Sequence, residues 1–169
     1  MKTHYQGIQR WTGGGVPYLF VSRSAMTEDD YGNVLIVRMG SRERDGERMR
    51  SNRLRLDTDT TYTPGEGEDE VVGEIRFDYK HPGGMQICGD ILAVPLEEPI
   101  GDDLPTGRIE FYNIADPENP QLLNGSINAS HNFGVVGMVK LPDGHFLVVA
   151  TWGGNSQLNF FRSNGTDFN

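Results

Sequence analysis

HPGGMQICGD, residues 81–90, runs directly into the apolar segment ILAVPLE, residues 91–97. A histidine, a proline and paired glycines thus stand in front of a run of strand length. The arrangement recurs. HYQGIQRW (4–11) leads to YLFVSRS (18–24) and NVLIVRM (33–39), and HNFGVVGMVKL (131–141) leads to FLVVATW (146–152) and LNFFRS (158–163). Each unit opens with a histidine (His4, His81, His131) and a glycine (Gly7, Gly84, and Gly134 or Gly137). A short strand, a turn, a second apolar strand, a polar loop and a third, alternating strand follow.

With 22 glycines, 9 prolines and no sustained helical periodicity, the chain is expected to be all-β, its strands separated by turn chemistry such as DDYGN, DPENP, LPDG and WGGN. EIRFDY (74–79) and RIEFYNI (108–114) complete the set of clear strands, with QLLNGSI (121–127) and NRLRLD (52–57) as outer, fourth strands of their units. One stretch departs from the pattern: residues 41–70 pass from strongly basic to strongly acidic and read as a long excursion. It inflates the first repeat, whereas the later spacing approaches the ~40–50 residues of four-stranded propeller blades. The reading is one domain over 1–169, with units at about 4–60, 71–127 and 131–169.

RIEFYNIADPENPQLL (108–123) resembles the end of a blade in β-propellers of the LVIVD and YVTN repeat type, and GDILAVPLE (89–97) is similar to their second strand. The resemblance implies a third strand, an Asp-Pro-x-x-Pro turn and an outer strand. It implies nothing about activity, since propellers serve as binding platforms and as enzymes. Closed propellers need at least ~4 blades. The expectation is therefore either a piece of a larger propeller or, as the favoured alternative, a partial propeller completed by self-association, most simply as a dimer with a six-bladed or pseudo-six-bladed ring.

Twenty-four acidic against fifteen basic residues give a formal charge of −9. Nucleic acid and anionic membranes would call for a basic face, so neither is expected as a partner. No segment has the apolar length to cross a bilayer as a helix. The single cysteine, Cys88, reads as a small buried hydrophobe. MKTHYQGIQRW lacks the apolar core of a signal peptide, which leaves the compartment open.

In propeller topology the histidines share a face with the loops that join second to third strands. Those loops carry Glu28, Asp29 and Asp30, then Glu97, Glu98, Asp102 and Asp103. Two kinds of function fit. The first is a binding platform whose histidine and acid face takes a small ligand or a protein. The second is a metal-dependent lactone or ester hydrolase, like the propeller lactonases of the paraoxonase and gluconolactonase kind, which hold Ca²⁺ at the channel mouth. There Asp29, Asp30, Glu97 and Glu98 would hold Ca²⁺ or another divalent ion, and His81, His4 or His131 would serve as general base. A mixed nitrogen and oxygen site for a transition metal is a further possibility. Against both stands the simpler reading, in which each histidine only bonds backbone at a blade entrance. No G-x-S-x-G elbow, H-E-x-x-H motif or cysteine cluster occurs.

Overall fold

The computed structural model describes residues 4–25, 31–40, 69–152 and 157–166. Among them are twelve strands and no helix. The all-β expectation holds. The first sheet is β1 (Tyr5–Trp11), β2 (Tyr18–Arg23), β3 (Asn33–Arg38) and β4 (Glu70–Arg76), paired in that order. The second has the path β5 (Tyr79–Pro82), β7 (Ile91–Pro99), β8 (Gly107–Asn113), β9 (Gln121–Ala129), with β6 (Gln86–Cys88) also on β7. The third is β10 (Phe133–Lys140), β11 (Phe146–Trp152) and β12 (Leu158–Arg162). Every ladder within a sheet is antiparallel, and all but β3–β4 join strands that follow closely in sequence.

The sheets stack face to face, and the strand patterns show why. Along β7, Leu92, Val94 and Leu96 enter a core shared with Phe20, Val34, Ile36 and Ile75 of the first sheet. Ala93, between them, enters a second core with Phe111, Val136, Met138 and Val148, which joins the second sheet to the third. A strand covered on both faces needs apolar residues at consecutive positions, hence the unbroken ILAVPL. In β12, by contrast, exposure alternates along the strand, as in a strand covered on one face.

Two element assignments differ from the sequence reading. EIRFDY (74–79), read there as one strand of a second unit beginning at 71, is divided: residues 70–76 form β4 and complete the first sheet against β3, and Tyr79 opens β5. NRLRLD, expected as the outer strand of the first unit, lies outside the described residues. The innermost segment of the second sheet is also broken into β5 and β6, both borne by β7.

The paired glycines sit at this break. A side chain on Gly83 would fall on the carbonyl oxygen of Gly134. Gly84 donates its N–H to that same oxygen at 2.9 Å and accepts from the N–H of Val136 at 2.9 Å. Neither has a positive φ, so their work is close approach of two sheets rather than a left-handed turn. On the other side, Ser22 Oγ donates to the carbonyl of Gly83 at 2.9 Å, and the N–H of Ala25 donates to that of Lys80 at 2.8 Å. The segment that opens the second unit is therefore tied to both neighbouring sheets.

Candidate functional site

His81 and Glu97 are cross-strand partners on β5 and β7. Residues directly opposite in an antiparallel ladder share a face, and here the side chains meet, with Nδ1 2.6 Å from Oε1. Both are largely buried, at 20% and 13% side-chain exposure. The contact places a proton on Nδ1, so the other nitrogen, Nε2, is the one left to act. Glu97 raises the His81 pKa by hydrogen bonding; burial opposes this, and the charges of Glu97 and Glu98 add to it.

That Nε2 atom faces the first sheet. His4, just ahead of β1, brings its own Nε2 to 2.9 Å, with the rings edge-on at 4.9 Å between centroids. Gln6 follows two residues later, and strand periodicity returns it to the same face. Its amide lies 2.7 Å from His4 Nε2 and also contacts His81 Nε2. Ser24 Oγ is 3.4 Å from His4 Nε2. The serine and His81 thus address the same nitrogen of His4, and no proton relay passes through that ring from one to the other.

Of the expected site residues, the structure brings His4, His81 and Glu97 into one cluster. Glu98 is exposed beside it and takes a left-handed φ of 59°, a backbone region that is costly for a residue with a side chain. His131 packs edge-on against Phe133 at 5.2 Å. Its carbonyl lies against Gly107, which is opposite Glu97 in the β7–β8 ladder, so His131 occupies the same end of the second sheet. Asp29 and Asp30 lie outside the described residues, as does Glu28. Asp102 and Asp103 are exposed in the loop after β7. Among the described residues, no group of three or more histidine, cysteine, aspartate or glutamate side chains is placed to hold a metal ion.

Searched against family models and curated proteins, the chain finds no match. The site must therefore be read from its own chemistry. An oriented imidazole with a carboxylate behind it can accept a proton, donate one when charged, or ligate a cation through Nε2.

Two features escaped the sequence reading. Gln6 carried a signal, since it alternates with His4, but glutamine on a strand is unremarkable until its neighbours are known. The other is an open groove of about 520 Å³ between β9 and β12, floored by Phe111, Ile127, Val148 and Phe161 and edged by Asn124 and Arg162. It arises where outer strands of two sheets diverge, and no local sequence pattern marks such a place.

Proposed function

We propose that this chain is a propeller-type binding platform whose ligand face is centred on His4, His81 and Glu97. The observation that carries the reading is the pairing of His81 Nδ1 with Glu97 while Nε2 turns to a histidine of a different sheet. Polar side chains gathered from separate elements and held by a largely buried carboxylate are the usual makings of a binding site. Propeller architecture is supported by face-to-face stacking of antiparallel sheets, with inner segments in contact at Gly7, Gly84 and Val135. A ligand panel followed by NMR of the His81 ring tests the platform. Small polar or anionic ligands should shift its resonances, and a ring that responds to none would overturn the reading.

The ring is completed by a second copy in this reading. On the face of the third sheet turned away from its core, Val139, Leu158 and Phe160 are 51%, 58% and 64% exposed. On the first sheet's face turned away from its core, the edge residues Ile8 and Val71 are 62% and 43% exposed, while Val21, Leu35 and Val37 between them are buried. Two chains related by a twofold axis would join these patches twice and close a six-bladed ring without a leftover face.

One observation favours hydrolysis as a second reading: the His81–Glu97 pair has the form of an oriented general base. A divalent cation, Ca²⁺ included, would polarise the carbonyl of a lactone or ester in that case. Turnover of such a panel, abolished by chelator, restored by metal and lost in His81→Ala, would establish the enzyme. Absence of turnover with every metal tried would leave the platform alone.

A further inference from the structure

We infer that His4 and His81, with Gln6, form a site for a first-row transition-metal ion of the zinc class. The inference rests on the platform reading, since it takes the same cluster as the place where a ligand binds.

Hydrogen-bond accounting carries the argument. Three polar groups crowd one point: the two Nε2 atoms, 2.9 Å apart, and the amide of Gln6, 2.7 Å from one and in contact with the other. Suppose that His81 is charged. Its Nε2–H then donates to His4, but the amide must set either its N–H₂ against that donor or its oxygen against the lone pair of His4. Suppose instead that both rings present lone pairs. The two amide hydrogens diverge by ~120°, too widely to serve two acceptors so close together. If instead His4 donates its Nε2–H to a neutral His81, the amide again sets its N–H₂ against a donor or its oxygen against a lone pair, so each assignment of protons leaves a contact of like with like. A cation at the centre, with the amide turned to offer Oε1, makes all three contacts favourable. Amide oxygen and nitrogen are interchangeable by such a turn.

The surroundings suit that role. A carboxylate on the far nitrogen of a histidine is the usual companion of a metal-bound imidazole, because it fixes the tautomer and raises the basicity of the ligating atom. Glu97 stands in that position at 2.6 Å. Imidazole donors select zinc, copper or nickel, whereas Ca²⁺ takes oxygen, so this cluster is not the expected calcium site. Metal–nitrogen bonds of ~2.0–2.1 Å would span the two Nε2 atoms, 2.9 Å apart, at ~90° at the metal; widening by ~0.4 Å gives a tetrahedral angle, and the Gln6 amide would have to draw back from His81 by more. His4 is exposed and precedes its strand, so it has room to make that adjustment, with water filling the remaining position.

The test uses the full chain. Equilibrium dialysis against Zn²⁺ with metal analysis should find one bound ion per chain, and Co²⁺ should give d–d absorption bands typical of four-coordinate nitrogen and oxygen ligation. His4→Ala and His81→Ala should each weaken binding at least ~10-fold, and Glu97→Gln by ~10–100-fold. His145→Ala should leave it unchanged, because His145 pairs with Asp143 in the β10–β11 turn. Zn²⁺ should also raise the melting temperature of the parent chain, since its ligands come from two sheets. Should His81→Ala fail to fold, His4→Ala, which alters no strand residue, decides the matter alone. Absence of stoichiometric binding, or binding that survives removal of His4 in a folded variant, overturns the inference. If Zn²⁺ fails while organic ligands still shift the His81 ring, only the metal falls; if neither binds, the platform falls with it.

Discussion

At the scale of single residues, the charge on His81 is the quantity most open to measurement. Glu97 raises its pKa, with Glu98 contributing through its charge. A histidine whose folded pKa exceeds its unfolded value adds stability that is fully present below the unfolded value, ~6.5. That stability is lost as pH rises through the folded value. Glu97→Gln should therefore lower the His81 pKa in an NMR titration, and its loss of melting temperature relative to the parent should be larger at pH 6 than at pH 9. Equal losses at both pH values would show that Glu97 acts by packing alone. Glu98 offers a second measurement, because a left-handed φ costs a non-glycine residue ~1–2 kcal/mol. Glu98→Gly should stabilise the chain by up to ~1 kcal/mol in urea unfolding, while removing one of the negative charges that favour protonated His81.

At the scale of elements, paired glycines decide how closely the sheets approach. Gly83→Ala puts a methyl group against the Gly134 carbonyl and should cost ~1–3 kcal/mol, as overpacking does. Gly73→Ala, where an added methyl meets Ile36 at an ordinary 3.6 Å, should cost under ~1 kcal/mol. Denaturant unfolding of the pair checks the contrast.

Much at this scale was legible in the sequence. ILAVPLE, RIEFYNI and FLVVATW announce β7, β8 and β11 through apolar runs bounded by turns. The identity of β4 was not, because EVVGEIR joins β3 across a gap of more than thirty positions and its amino acids do not name the partner strand. The cluster was half legible for the same reason. Repetition singled out His4 and His81, but their meeting, and the choice of Glu97 over Glu98 as partner, depends on register and on the packing of one sheet against another.

For the whole molecule, the apolar patches at the two ends of the stack bear on assembly. Light scattering should give twice the mass of the chain, and a Val139→Glu/Phe160→Glu variant should return it to one chain while keeping its strand signature in circular dichroism. A parent that stays monomeric at high concentration would rule the dimer out. In the interior, Leu96→Ala should cost ~2–5 kcal/mol, for Leu96 is fully buried.

The position of β7 between two cores has a dynamic consequence. One backbone carries side chains anchored in opposite directions, so neither outer sheet can melt away without exposing the strand that holds the other. Opening of this interior then requires nearly the whole free energy of unfolding. Backbone amides of β7 should exchange with deuterium through the same slow event as those of β8, whereas those of β12, at the edge of its sheet, should exchange far sooner. A slow clock at the centre and a fast one at the rim would be the kinetic imprint of one strand serving two interiors.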